Sequence, residues 1–216
     1  MIKCIIFDCD GILVDSELLG NLGLEIKLRD YGITASAHTM MKQYRGGKLA
    51  DILKSIEQAH GILLKENFVV EYRELVHELF EKALKPCGGV PEFLSQNTLV
   101  VGVASSGPIQ KINHALEITD LKQYFNDHVF SSYEINAWKP DPAIFLHAAQ
   151  KMGFTATECL VVEDSIKGVQ AGLAAKMKTV LYDPTNLHEG VPEVDRIDNM
   201  VQLKNIIAAL NEVEGV

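Results

Sequence analysis

The sequence predicts an α/β protein: a Rossmann-like parallel sheet core flanked by helices, with an all-helical block inserted into it. Three observations predict this. Ile2 to Phe7 is apolar on both faces apart from Lys3 and stops at Asp8, as a central strand covered on both sides does. After Val14, roughly seventy residues show helical spacing and nothing of period two. From Pro86 onward, short apolar runs alternate with amphipathic segments, the pattern of strand–helix units joined by right-handed crossovers. The core is therefore expected at residues 1–15 and 86–216, and the helical domain at residues 16–85.

Taken in order, the first strand ends at Asp8, and Gly11 lets the chain turn out of it. Ser16 to Tyr31 carries Leu18, Leu19, Leu22, Ile26 and Leu28 at helical spacing, although Gly20 and Gly23 each cost about 1 kcal/mol in a helix interior. Gly32 ends that helix. Leu49 to His60 is a second helix, closed by Gly61, and Lys65 to Lys85 a longer amphipathic one. In the core, Val90 to Leu94 reads as a short helix and Leu99 to Ala104 as a buried strand ending at Ser105. A helix over Ile109–Leu116 and a strand over Asp127–Ser131 follow. Asp141 and Pro142 suit the N-cap and first turn of a helix running to Met152. Cys159 to Val162 is a buried strand ending at Glu163-Asp164. It is followed by a helix over Ile166–Ala175, a strand over Thr179–Tyr182 and a closing helix over Asn199–Val213.

Composition narrows the function. The 216 residues carry a net charge of −9 with no basic run, which argues against a nucleic-acid surface. The 47% hydrophobic and 23% charged fractions are those of an ordinary soluble globular protein. No apolar stretch is long enough to span a membrane, and the N-terminus lacks a signal-peptide pattern. The four cysteines show no paired spacing, and Cys4 and Cys159 read as small hydrophobes of a reducing compartment. A cytoplasmic protein, without nucleic-acid or membrane partners and with a monomer favoured, is expected.

The strand ends hold the chemistry. Ligands of open α/β sheets bind at the carboxyl ends of the strands. Alone, Asp8-Cys9-Asp10 reads as a strand end running into an acidic loop. Ser105-Ser106-Gly107-Pro108 and Glu163-Asp164-Ser165 recur at other strand ends, however, and Pro140 holds Lys139 extended between them. Carboxylates gathered this way repel one another unless a cation joins them, and Mg²⁺, a hard ion with oxygen ligands, suits them. A serine hydroxyl, backbone N–H groups at a helix start and one lysine are what a phosphate group needs around it. An Asp neutralised by metal can attack phosphorus, and a second Asp two residues on can serve as general acid and base.

These motifs, in order, resemble those of the haloacid dehalogenase-like hydrolase superfamily. Asp8-Cys9-Asp10-Gly11 is similar to its first motif, Ser105 to its second, Lys139 to its third and Glu163-Asp164 to its fourth. The resemblance implies that Asp8 is the nucleophile and Asp10 the general acid/base. It implies that Ser105, with Ser106 beside it, and Lys139 hold the phosphoryl group, and that Lys139 also neutralises Asp8. Asp8, Glu163, Asp164 and the Asp10 carbonyl would bind Mg²⁺. Residues 16–85 correspond to the family's helical cap. Within the superfamily the chain resembles the β-phosphoglucomutase-like branch and its bacterial sugar-phosphate and 6-phosphogluconate phosphatases. The similarity lies in Arg45-Gly46-Gly47-Lys48, Ser106-Gly107-Pro108 and Tyr133 to Pro140. Ile12 replaces the usual Thr or Val after Gly11 and remains β-branched. Gly20 stands where the mutases carry a cap histidine.

The expected activity is therefore Mg²⁺-dependent hydrolysis of a small phosphorylated metabolite, a sugar phosphate or phosphorylated sugar acid, through a phosphoaspartate. A hexose-phosphate mutase is the alternative, and analysis for a bisphosphate intermediate separates the two. A signalling receiver domain is shorter and carries its acidic pair before the phosphorylated Asp. A dehalogenase has no need of a second carboxylate at Asp10. Arg45, Gly46 and Lys48, in a loop between helices of the cap, are the expected substrate contacts.

Overall fold

The computed structural model describes residues 1–44, 47–186 and 194–213. In chain order, β1 (Cys4–Phe7) is followed by α1 (Glu17–Arg29), α2 (Ala37–Tyr44), α3 (Leu49–His60) and α4 (Phe68–Ala83). Next come α5 (Val90–Gln96), β2 (Val100–Ser105), α6 (Ile109–Ile118), α7 (Lys122–Phe125), β3 (Val129–Ser131), α8 (Ser132–Ile135) and α9 (Ala143–Met152). The chain closes with β4 (Cys159–Glu163), α10 (Ile166–Ala174), β5 (Lys178–Tyr182), β6 (Asp195–Ile197) and α11 (Leu203–Val213). It divides into two compact units, Met1–Val14 with Pro86–Val216, and Asp15–Lys85.

The first unit is built on a six-stranded sheet of order β3-β2-β1-β4-β5-β6, in which every pairing is parallel. β1 is central because it can be buried on both faces. Ile6 pairs with Gly102 on one side and Val161 on the other. Cys4 and Ile6 pack with Ala104, Ile144, Phe145, Ala148 and Ala171. Phe7 points the other way, its ring edge-on to Phe93 at 6.2 Å and to Phe125 at 6.3 Å. A strand with no polar face is stable only where helices cover both sides of the sheet. The free thiols of Cys4 and Cys159 face each other in register and are fully buried, as small hydrophobes.

The expected strands form with ends shifted by a residue or two, and β1 begins at Cys4 rather than Ile2. The helix expected to have Asp141 at its N-cap begins at Ala143, with Pro142 at the N-cap instead; Asp141, one residue earlier, still accepts the Ala143 N–H on Oδ1 at 2.8 Å. The closing helix begins as a 3-10 turn over Met200–Gln202, with the Asn199 side chain accepting from Val201 N–H at 3.0 Å. Among the described residues of this unit, α7, α8, a 3-10 turn over Ala156–Glu158 and the edge strand β6 have no counterpart among the expected elements.

The second unit is all helix among its described residues. α1 and α4 pack closely where Gly23 lies. A Cβ there would meet Val76 Cγ2 at 2.6 Å and the Tyr72 ring at 3.2 Å, so a side chain would push the helices apart. Tyr72 Oη donates to the Gly20 carbonyl at 3.3 Å. The two glycines that weaken α1 as a helix thus let it approach α4. Leu24, Leu28, Ile33, Met40, Leu53, Ile56 and Phe68 form the core of this unit. Gly61, at φ +63°, ends α3. α2 is a further helix with no counterpart among the expected elements. Among the described residues no helix is long and apolar enough to cross a membrane.

Candidate active site

β1 delivers Asp8 at its carboxyl end, where the Asp8 N–H still donates to the Val162 carbonyl at 3.0 Å. The chain then closes on itself. Gly11, at φ +76°, donates to Val14 O at 2.9 Å, and Leu13 and Val14 both donate to Cys9 O. Ile12, Leu13 and Val14 are fully buried, so the loop is held by apolar burial as well as backbone bonds.

β4, adjacent to β1, ends at Glu163. Its Oε2 accepts from Asp164 N–H at 3.1 Å, Ser165 N–H at 3.2 Å and Ser165 Oγ at 3.0 Å. Ser165 Oγ also accepts from Gly168 N–H at 3.0 Å, making Ser165 the N-cap of α10. Glu163 therefore lies on the opening turn of α10, and Gly168 is what makes room: a Cβ there would fall 1.8 Å from Glu163 Cδ.

Lys139 precedes a cis Pro140 and is almost entirely buried. Its Nζ donates to Asp8 Oδ1 at 2.6 Å and also to Glu163 Oε1. The ammonium lies 4.9 Å from the centre of the Phe145 ring. Burial opposes its charge, but Asp8 and Glu163 together raise its pKa above the ordinary lysine value. Asp8 behaves in the opposite sense. Burial is the largest influence and pushes its carboxyl up to about 7; Lys139 works against that rise, while Glu163 and Asp10 add to it.

Asp8, Glu163 and Asp164 each offer a carboxylate oxygen, and these oxygens lie within 4.8 Å of one another. Three hard oxygen donors this close, with Asp8 resisting ionisation among them, are a donor set that fits a hard divalent cation such as Mg²⁺. Asp10 turns elsewhere. Its carboxylate receives Lys111 Nζ at 2.7 Å on one oxygen and 2.8 Å on the other.

The third group of residues lies at the end of β2. Ser105 is buried, and its Oγ accepts from Gly107 N–H at 3.1 Å. Ser131, at the end of β3, donates through Oγ to the Gly107 carbonyl at 2.6 Å, and the same Oγ accepts from Tyr133 N–H to cap α8. Ser106 is half-buried in this turn. The structure thus brings together Asp8, Lys139, Glu163 and Asp164 directly, and Asp10 and Ser105 around the Gly107 turn. Arg45 and Gly46 lie outside the described residues. Lys48 is half-buried at the N-cap of α3, in the helical unit. Sequence reasoning missed Lys111 and Ser131. Ser131 carried one signal, the Ser-x-x-Glu pattern of a capping box formed with Glu134.

A parallel sheet whose strand ends gather carboxylates around a buried lysine is an α/β architecture with a candidate site at the edge where such sheets bind their ligands. A family model for haloacid dehalogenase-like hydrolases matches residues 2–176, and the chain belongs to that family of hydrolases. It is 34% identical over 208 residues to the 6-phosphogluconate phosphatase of Escherichia coli K12, covering 95% of this chain and 94% of that one. Over 184 residues it is 29% identical to hexitol phosphatase B of the same organism, covering 82% and 81% of the two chains. A crystal structure of a haloacid dehalogenase-like protein of unknown function from Agrobacterium tumefaciens superposes with a TM-score of 0.83. It is 28% identical, with 98% of this chain and 100% of that one covered.

Proposed function

We propose that this chain is a phosphatase that hydrolyses monoesters of small phosphorylated sugars or sugar acids through a phosphoaspartate on Asp8. The observation that carries the reading is Lys139 between Asp8 and Glu163, at the strand edge of a haloacid dehalogenase-like hydrolase. The names of the two Escherichia coli relatives, one acting on a phosphorylated sugar acid and one on hexitol phosphates, support the substrate class.

In this reading Asp8, Glu163 and Asp164, with the Asp10 carbonyl, hold Mg²⁺, which when bound supplies positive charge beside the phosphoryl oxygens. Asp8 attacks phosphorus, forming an acyl phosphate and breaking the bond to the sugar oxygen. The Asp10 carboxyl gives its proton to that oxygen. Asp10 then takes a proton from water as the water attacks phosphorus. Inorganic phosphate leaves, and the Asp8 carboxylate is regenerated. Lys139 and the Ser105 hydroxyl, with Ser106 beside it, hold the phosphoryl oxygens. Arg45, Gly46 and Lys48 are proposed as substrate contacts on the sequence argument alone. Lys48→Ala should then raise KM for the preferred sugar substrate by about ten-fold, and cost less on p-nitrophenyl phosphate.

The test is phosphate release from a panel of phosphorylated sugars, sugar acids and sugar alcohols, with Mg²⁺ and after chelation. Metal-dependent release from members of that panel is expected. Release confined to other esters, or unaffected by chelation, overturns the reading.

A further inference from the structure

Lys111 lies on the first turns of α6, outside the four motifs, yet reaches the one site carboxylate that turns away from the proposed metal ligands. Its Nζ meets both oxygens of Asp10, at 2.7 and 2.8 Å. The location of α6 is itself fixed by the site. The helix starts at Ile109, immediately after the Gly107-Pro108 turn that Ser105 and Ser131 hold through the Gly107 N–H and carbonyl. Space is limited there. A Cβ on Gly107 would lie 3.5 Å from Ser105 Oγ, 3.7 Å from Lys111 Cδ and 3.8 Å from Asp10 Oδ2. The side chains of Asp10, Ser105 and Lys111 therefore converge on one turn. On the Asp10 side, backbone bonds from Gly11, Leu13 and Val14 close the loop and place the Asp10 backbone. The two-oxygen contact with the Lys111 ammonium acts on the side-chain torsions that follow.

We propose that Lys111 is the positioning residue of Asp10: the ammonium holds the carboxylate form through both oxygens, keeps one of them when the other carries the proton, and so aims the group that exchanges protons with the leaving oxygen and with water. This rests on the phosphatase reading above. In this proposal Lys111 acts through Asp10 and not on the substrate. Its contribution lies in the fraction of time Asp10 spends in line with the leaving oxygen, and it should matter most when that oxygen most needs a proton.

The test uses the full-length enzyme with Mg²⁺ on small phosphate monoesters graded by leaving-group acidity, from p-nitrophenyl phosphate through phenyl phosphate to an alkyl phosphate. K111M and K111Q remove the ammonium, K111R keeps a two-point cation, and thermal melting checks the fold of each. For K111M and K111Q, kcat/KM is expected to fall by about ten-fold or more on the phenyl and alkyl esters and least on p-nitrophenyl phosphate. K111R should recover most of that loss. An equal fractional loss on every ester would mean that Lys111 supports the fold or grips the phosphate, and the proposal would be wrong. No loss on any ester also overturns it. If the wild type releases phosphate from none of these esters or of the sugar panel, the phosphatase reading falls and takes this proposal with it; an active wild type with uniform losses removes the proposal alone.

Discussion

Lys139 Nζ lies 2.6 Å from Asp8 Oδ1, with both side chains almost wholly out of solvent. Even so, burial wins at Asp8 and holds its carboxyl at about 7. A lysine alone does not make this aspartate a ready anion, which is the electrostatic case for a divalent cation beside it.

That balance fixes the sign of a pH effect on metal-free protein. The raised pKa means the folded protein holds the Asp8 proton more tightly than the unfolded chain does. The resulting stabilisation is complete below the ordinary carboxylate range and is lost as pH rises through about 7. Asp8→Asn has no such titration. Metal-free wild type should therefore lose stability relative to D8N between about pH 4 and about pH 7, by up to about 1.4 kcal/mol per pH unit, and the gap should level off above that. Paired melting curves check this; a constant gap between the two proteins would contradict it.

Gly168 gives Glu163 its place on α10. Gly168→Ala would put a methyl group 1.8 Å from Glu163 Cδ, so the carboxylate or the helix must move. The expected cost is about 1–3 kcal/mol of stability, together with weaker Mg²⁺ binding by calorimetry. Wild-type stability with unchanged metal affinity would show that Glu163 is not held there.

Lys176 sits at φ +59°, just past α10. Its N–H donates to Leu173 O at 2.9 Å, and Met177 N–H to Gly172 O at 3.1 Å, the bonding of a left-handed helix C-cap that favours glycine. Lys176→Gly should stabilise the protein by about 1 kcal/mol. That corresponds to a rise in Tm of about 2–4 °C, and an unchanged or lower Tm would contradict it.

The strand ends were legible because each combines an apolar run with an abrupt polar stop. Leu160 to Val162 is fully buried and Glu163-Asp164 follows at once, so burial and chemistry are written in adjacent residues. Elements that lack such contrast were invisible. β6 is Asp195-Arg196-Ile197, with only Ile197 buried, and it pairs at the sheet edge through its backbone. α2 buries just Ala37 and Met40, too little for an amphipathic stripe. Lys111 was hidden differently. A lysine on a helix reads as a solvated charge, and its contact with Asp10 spans 101 positions of sequence. Local pattern carries no trace of such a pairing; only the fold supplies it.

The central claim is that Asp8 is the nucleophile, and Asp8→Asn tests it most directly. The measurement is phosphate release by wild type and D8N, with saturating Mg²⁺, on the best substrate of the panel, both proteins shown to be folded by their melting transitions. Turnover in D8N is expected to fall by about 10³-fold or more, because the amide cannot form the acyl phosphate. Turnover by folded D8N within about ten-fold of wild type would contradict a covalent mechanism through Asp8.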